Sequence, residues 1–156
     1  MLTAFSTKEK NMIFIHQIEA EETFSVRQPV LRPGKPIESC HFEGDNLGTT
    51  AHFGLYEHDD LIGVVSVYKV NHPISSKKEQ YQIRGMAVLQ EFQRRGVGEQ
   101  LVKKVEHHVK EQKGELIWFN AREKAVPFYQ KLDYKIKGEP FEIPEIGTHF
   151  VMLKCI

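Results

Sequence analysis

The feature that most constrains this chain is a glycine-containing turn between an apolar segment and an amphipathic one. The apolar segment covers residues 81–88 and predicts a strand, and the amphipathic segment covers residues 97–112 and predicts a helix. The turn between them ends in Gln93, Arg94, Arg95, Gly96, Val97 and Gly98. A helix that begins after such a turn presents unpaired backbone N–H groups and the positive end of its dipole, which together favour an anion such as phosphate.

Individual residues of the turn suit the same kind of ligand. Gly96 and Gly98 lack a Cβ atom, so phosphate oxygens can approach the backbone closely. Arg94 and Arg95 add two positive charges beside the backbone. We therefore expect a phosphate-bearing ligand, although glycine-rich turns also form ordinary strand–helix corners.

The residues after Gly98 exclude two common phosphate-binding motifs. A P-loop requires Gly-Lys followed by Ser or Thr, whereas this chain continues with Glu99 and Gln100. A dinucleotide-binding fingerprint requires a third glycine three positions after Gly98, where this chain has Leu101. The remaining pattern, Gln-x-x-Gly-x-Gly, resembles the loop that binds the pyrophosphate of acetyl-CoA in the GNAT superfamily of N-acetyltransferases.

A second segment adds to this resemblance. Residues 120–134 begin with Asn120, which the sequence places at the end of a strand, and continue into a helix that carries Phe-Tyr-x-Lys at residues 128–131. Both the segment and its position after the turn are similar to the GNAT family, from residue 81 to residue 134. The resemblance implies an α/β fold with a mixed, mostly antiparallel central sheet and helices on both faces.

The resemblance also implies which residues bind acetyl-CoA. The backbone of the turn would hold the pyrophosphate, and the backbone of the preceding strand would bind the pantetheine arm. An amide in that strand, that of Val88, would polarise the thioester carbonyl, and Asn120 would bond to a pantetheine amide or, alternatively, cap a helix. The expected cofactor-binding residues are Met86, Val88, Gln93, Arg94, Arg95, Gly96, Val97, Gly98, Glu99 and Asn120.

Two catalytic candidates follow from the resemblance. Tyr129 corresponds to a family phenol that approaches the cofactor sulfur, and a phenol with a pKa near ~10 can protonate the departing thiolate at neutral pH. Its alternative is core packing. His149 lies in a segment, residues 141–152, that looks like the closing segment of some bacterial GNAT proteins. It is a candidate base or acceptor-binding group, or a partly buried histidine bonded to a neighbouring strand.

The leading interpretation is an N-acetyltransferase that moves the acetyl group of acetyl-CoA to a primary amine of a small molecule or peptide, by direct transfer in a ternary complex. The alternative is a non-catalytic CoA-binding or sensing module of the same fold. We expect the acceptor between the loop of residues 32–48 and the closing strands, because carboxylates there would attract a cationic amine. These carboxylates are Glu38, Glu43, Asp45, Glu142 and Glu145.

Composition limits the other possibilities. The 156 residues contain 21 basic and 21 acidic side chains, so we expect no general attraction to nucleic acid or to a membrane surface. Cys40 and Cys155 match no metal-ligand spacing, so we predict free thiols, no metal site and a cytoplasmic location. Residues 1–11 lack the apolar region of a signal peptide. We predict a poorly ordered extension there and a single domain at residues 12–156, with a homodimer left open.

Hydrophobic periodicity and turn residues predict the order of elements. Strands are expected at residues 13–18, 50–56, 61–70, 81–88, 116–119, 134–143 and 148–155, and helices at residues 19–31, 97–112 and 123–132. Within the helix at 97–112, we expect the ion pairs Glu99–Lys103 and Glu106–Lys110 and a stop at Gly114.

Overall fold

The computed structural model describes residues 12–156, and its elements follow the predicted order. They are β1 (Ile13–Ile18), α1 (Phe24–Leu31), β2 (Ala51–Glu57), β3 (Asp60–Tyr68), β4 (Gln80–Val88), α2 (Val97–Glu111), β5 (Leu116–Arg122), α3 (Val126–Gln130), β6 (Lys135–Ile136), β7 (Phe141–Ile143) and β8 (Gly147–Cys155). Short 3₁₀ helices lie at Ala20–Thr23, Ile37–Cys40, Gln90–Phe92 and Glu123–Ala125. The predicted extension, residues 1–11, lies outside the described residues, and the single domain stays a prediction.

The described residues contain an eight-stranded mixed sheet. Its antiparallel pairs include β1–β2, β2–β3, β5–β8, β6–β8 and β7–β8, whereas β4 and β5 are parallel. Short turns join the hairpin strands, and the parallel pair needs the helical crossover that α2 provides. The predicted mixed, mostly antiparallel sheet is therefore confirmed.

Internal contacts divide the chain into two compact units. The first unit contains the described residues up to Val67 together with Gly85–Val105, and the second contains Tyr68–Arg84 together with Glu106–Ile156. In the first unit, Val26, Val64 and Ala87 form an apolar cluster. In the second, Leu116, Trp118 and Val151 form another, against which Phe141 packs.

The apolar residues of α2 recur every four positions from Val97 to Val109, and the face that they form is buried. Its members are each at most 4% exposed: Val97, Leu101, Val102, Val105 and Val109. Gly63 of β3 permits this packing, because a Cβ atom there would come within 2.8 Å of Val97 Cγ1. The start of α2 is thus fixed by close contact with a strand of its own unit.

Only one of the two predicted ion pairs on α2 forms. Glu99 and Lys103 lie 3.1 Å apart, which confirms that pair. The second pair is wrong, because the Glu106 carboxylate instead accepts hydrogen bonds from Lys154 Nζ at 2.9 Å and from the Tyr134 hydroxyl at 3.0 Å. Glu106 is only partly exposed, and a shielded carboxylate gains more from two fixed donors than from a mobile surface lysine.

The helix ends depend on left-handed residues. Asp133 has a φ of 71°, so an aspartate takes the left-handed position at the end of the α3 segment. At the end of α2, however, the left-handed residue is Lys113, with a φ of 59°, rather than Gly114. Gly114 is needed for another reason, because a Cβ atom there would lie 2.4 Å from Val109 Cγ1.

Two predicted strand boundaries are wrong. The strand expected at residues 134–143 is two short strands, β6 and β7, because Gly138 has a φ of 84° and Pro140 follows it. Strand β5 continues to Arg122, so Asn120 lies inside a strand and not at its end. Pro127 lies in the first turn of α3, and Pro29 lies within α1, which ends two residues later at Leu31.

We predict that Gly114→Ala lowers the free energy of unfolding by about 1–3 kcal/mol, since the new methyl group would overlap Val109. Denaturant titration measures this change. Gly48→Ala is the matched control, because a Cβ atom at Gly48 meets nothing within 4 Å and its φ is not left-handed. Equal stability of the two variants would contradict the packing explanation.

Candidate active site

The turn before α2 presents its backbone N–H groups outward. Arg94 and Gly96 have φ values of 64° and 81°, and the first helical hydrogen bond runs from the Gln100 N–H to the Gly96 carbonyl at 3.1 Å. Within residues 12–156, no hydrogen bond engages the backbone N–H groups of residues 94–99. A Cβ atom at Gly96 would meet nothing within 4 Å, so the space before the turn is open. This arrangement suits an anion.

Side chains around the turn complete a positively charged surface. Arg94 and Arg95 are exposed, and the Arg95 guanidinium lies 5.4 Å from the centroid of the Phe92 ring. The Gln93 amide donates a 2.9 Å hydrogen bond to the Val88 carbonyl, which ties the turn to the end of β4. Gln93 therefore shapes the turn through its side chain, a role that the sequence did not indicate.

Strand β4 is irregular just before the turn. Its parallel pairing with β5 covers only residues 80–82, and Gly85 has a φ of 64°, which interrupts the regular pleat. The side chains of Met86 and Val88 are partly exposed. Their backbone is consequently near the surface of the first unit.

Tyr129 lies on α3 with its ring enclosed by aromatic neighbours. Its ring centroid is 4.2 Å from that of Phe119, 5.0 Å from that of Phe128 and 6.1 Å from that of Tyr134, and the residue is 8% exposed. Its hydroxyl makes no hydrogen bond with any described residue, and its oxygen is not sealed from solvent. Burial raises the pKa of the Tyr129 phenol above its ordinary value, so the group stays protonated at neutral pH.

A charged network fixes the surroundings of Tyr129. The Tyr134 N–H donates to the Tyr129 carbonyl at 3.1 Å, and the Tyr134 hydroxyl donates to Glu106. Lys154 Nζ joins Glu106 to the Leu132 carbonyl, the latter at 3.0 Å. Burial, with the Glu106 carboxylate beside it, raises the pKa of Tyr134. The end of α3 is thereby held at several points.

His149 is buried on β8, with 4% of its surface exposed. Its Nδ1 atom lies 2.8 Å from the Gly147 carbonyl. Because a carbonyl can only accept, Nδ1 carries the proton and the Nε2 atom of the neutral ring keeps its lone pair. The predicted alternative, a bond to a neighbouring strand, is wrong, since Gly147 belongs to the same strand as His149.

The strand register decides which candidates share a face of the second unit. Asn120 lies opposite Val151 and Arg122 lies opposite His149, so alternation puts Asn120 and His149 on one face of the β5–β8 pair. Phe119, against which Tyr129 packs, points to the other face. Asn120 is exposed, and Arg122, not Asn120, precedes the following 3₁₀ helix, so the capping alternative for Asn120 is wrong.

The first unit contains a buried ion pair that was not predicted from the sequence. Arg27 and Asp45 have no exposed side-chain surface, and their closest nitrogen and oxygen atoms are 2.7 Å apart. The prediction that the Asp45 carboxylate lies exposed at a pocket rim is therefore wrong. The other carboxylates of that prediction are exposed: Glu38, Glu43, Glu142 and Glu145. The position of Arg27 on α1, in helical spacing with Phe24 and Leu31, was the signal for a buried arginine.

Among residues 12–156, no three His, Cys, Asp or Glu side chains are grouped so that they could hold a metal ion. None of the helices in this part of the chain has the length and apolar character needed to cross a membrane.

Comparison with known proteins identifies the family. The sequence model of the acetyltransferase (GNAT) family matches residues 13–134, and the chain belongs to this family. It is thus an acetyltransferase of the acetyl-CoA-dependent type. Over 145 residues it is 34% identical to the uncharacterized N-acetyltransferase YitI of Bacillus subtilis (strain 168), covering 93% of this chain and 97% of YitI.

Solved structures share the fold. A GNAT family acetyltransferase from Elizabethkingia anophelis with acetyl-CoA bound is 18% identical, with a TM-score of 0.67 over 92% of this chain and 98% of that one. The ribosomal-protein-S18-alanine N-acetyltransferase from Escherichia coli is 14% identical, with a TM-score of 0.73 over 93% and 94% of the two chains.

We predict that Gly96→Glu abolishes CoA binding, because a carboxylate would occupy the open space before the unpaired N–H groups. Gly96→Asn, which tolerates a left-handed φ, should weaken binding with little effect on the fold. Calorimetry with CoA measures both. The control is Gln112→Glu, which adds the same charge beyond the other end of α2. Unchanged CoA affinity in Gly96→Glu would remove the turn from the binding site.

Proposed function

We propose that this protein transfers the acetyl group of acetyl-CoA to a primary amine of a small molecule or peptide, by direct attack within a ternary complex. The observation that carries the proposal is the row of unpaired N–H groups at residues 94–99, beside two exposed arginines. A doubly charged pyrophosphate matches such a row of donors. Family membership supports acetyl-CoA as the co-substrate.

Different groups of the protein bind the pyrophosphate, the pantetheine arm and the thioester carbonyl of acetyl-CoA. The turn from Gln93 to Glu99 binds the pyrophosphate, with Gln93 acting partly through its bond to the Val88 carbonyl. The backbone of Met86 and Val88 binds the pantetheine arm, and the Val88 amide polarises the thioester carbonyl. Asn120, whose side-chain amide makes no hydrogen bond within the described residues, bonds to a pantetheine amide.

The reaction moves two electron pairs and two protons. The nitrogen lone pair of the neutral amine forms a C–N bond to the carbonyl carbon, the C–S bond breaks, and its electron pair goes to sulfur. Tyr129 gives its hydroxyl proton to that sulfur, and a base takes the proton released from nitrogen. The free, protonated hydroxyl of Tyr129 supports this role, and also supports an enzyme over a CoA-sensing module.

His149 is proposed as the group on the acceptor side. Its Nε2 lone pair, fixed by the Nδ1 bond to Gly147, can accept a proton or orient an amine. His149 and Tyr129 are proposed to serve separate proton transfers, His149 at the amine nitrogen and Tyr129 at the sulfur. Exposed Glu142 and Glu145, near His149 in sequence, would favour a cationic acceptor.

The location is proposed to be the cytoplasm. Both cysteines are free thiols, with Cys40 buried and Cys155 exposed, and free thiols persist in a reducing compartment. The formal net charge of zero supports a small-molecule or peptide partner rather than nucleic acid or a membrane surface.

We predict that Tyr129→Phe slows turnover by about 10²-fold or more while CoA affinity stays near that of the wild type. The ring contacts with Phe119 are retained, so only the proton donor is lost. Thiol release, followed with a chromogenic reagent, measures the rate for each of a panel of amines, peptides and aminoglycosides. An unchanged kcat would show that Tyr129 only packs.

The pH dependence gives an independent check of the same role. Burial raises the pKa of Tyr129, so the phenol stays protonated through its ordinary pKa and loses its proton only at higher pH. The ratio of wild-type to Tyr129→Phe rates should therefore be constant from neutral pH up to about 10. If the ratio already decreases between neutral pH and pH about 10, the phenol ionises in the working range, which contradicts the proposed role.

We further predict that His149→Ala lowers kcat/KM for the amine while KM for acetyl-CoA barely changes, because the Nε2 lone pair is proposed to serve the acceptor. Steady-state kinetics with both substrates varied separates the two effects. His107→Ala is the control, since His107 is exposed on α2 and pairs with Glu111 at 2.8 Å. Weaker acetyl-CoA binding with unaltered amine kinetics would place His149 on the cofactor side.

A further inference from the structure

Arg27 is a buried cation for which the acetyl-transfer steps above have no use. Its guanidinium has no exposed surface and donates to four acceptors in the first unit. Nη1 donates to Asp45 Oδ2 at 2.7 Å and to the Cys40 carbonyl at 2.8 Å, while Nη2 donates to Asp45 Oδ1 at 3.2 Å and to Ser66 Oγ at 2.9 Å. This planar group therefore links α1, the loop before β2, and β3.

The loop is held by Asp45 as well as by Arg27. Asp45 Oδ2 accepts a hydrogen bond from the Phe42 N–H at 2.8 Å, and the Asp45 carbonyl lies 2.8 Å from His52 Nε2 on β2. His52 Nδ1 is 2.6 Å from Ser66 Oγ, which closes the network. Residues 40–45 are thus tied to two strands through one buried ion pair.

The same arginine lies against the irregular part of β4. Its Cζ atom is 4.1 Å from the centroid of the Phe42 ring, so the two groups form a stacked pair. A Cβ atom at Gly85 would lie 3.1 Å from Phe42 Cε2 and 3.3 Å from Arg27 Nε. The stacked pair therefore lies beside Gly85, whose φ of 64° interrupts the strand directly before Met86, and leaves little room for a side chain there.

We propose that Arg27 is a positioning residue that holds the irregularity at Gly85 and thereby aims the backbone amide of Val88 at the thioester carbonyl. The inference rests on the proposed function, which assigns that amide to the carbonyl. The guanidinium suits this role because its planar fork bonds in two directions while its face stacks on Phe42. An ammonium group supplies the charge without the plane.

A positioning role for Arg27 has different consequences from a role in stabilising the fold. Burial of an ion pair costs desolvation, so the pair contributes geometry more reliably than stability. A shift of about 1 Å in a reacting group can cost up to about 10²-fold in rate. If Arg27 sets the backbone of β4, its replacement should alter the polarisation of the carbonyl group in bound acetyl-CoA. The affinity for CoA, which has no acetyl group, should change little.

The test is Arg27→Lys, with infrared difference spectra of acetyl-CoA labelled with carbon-13 at the carbonyl. The wild-type enzyme should shift the carbonyl stretch to lower frequency than in free acetyl-CoA, and the variant should lose most of that shift. We expect kcat to fall by about 10- to 100-fold, with CoA affinity within about threefold of the wild type. A variant that keeps the full shift and the wild-type kcat overturns the inference.

Two further variants keep the result interpretable. Phe42→Leu removes the stacked ring but retains the Arg27–Asp45 pair, and it should lose part of the shift even if Arg27→Lys fails to fold. Lys104→Met is the control, because its ammonium lies 5.6 Å from the Phe53 ring in the same unit and not against Gly85. A full shift in Phe42→Leu counts against the inference, whereas a wild-type enzyme that does not bind CoA would defeat the proposed function itself.

Discussion

The unpaired N–H groups at the start of α2 are the constraint around which the first unit is arranged. Gly63 lets Val97 pack tightly on β3, and the Gln93 amide ties the preceding turn to Val88. The left-handed residues Arg94 and Gly96 then turn the backbone so that its donors face outward. Backbone N–H groups without a hydrogen-bond partner raise the free energy of the folded protein, and hydrogen bonds to an anionic ligand offset this cost.

Each of the two units contains a buried or partly buried charged network that fixes a backbone segment. Arg27 with Asp45 fixes the loop before β2 and lies against Gly85, whereas Glu106 with Lys154 fixes the end of α3. Charges removed from water must be paired with good geometry, so such networks tolerate little displacement. In each unit the network lies next to groups that the proposed chemistry requires to be accurately placed.

Family membership defines the reaction type but leaves the acceptor open. The contacts proposed for the turn and for the Tyr129 phenol involve parts that every acetyl-CoA molecule has, so they do not select one amine over another. The related Escherichia coli enzyme is named for ribosomal protein S18 alanine, and this chain is 14% identical to it. The proposed acceptor site uses the loop before β2 and the closing strands, and connecting loops commonly carry the residues that select a substrate.

Local sequence was sufficient for much of this protein. The four-residue repeat from Val97 to Val109 and the glycine turn before it act over one or two helical turns, so their patterns predicted the helix and its start. The partners of Glu106 and Asp45 could not be predicted in the same way. Lys154 and Arg27 lie far from them in the chain, and only tertiary packing brings those charges together and shields them from water. The same packing decided that Gly114 serves close contact rather than a turn, and that Tyr129 keeps a free hydroxyl inside an aromatic cluster.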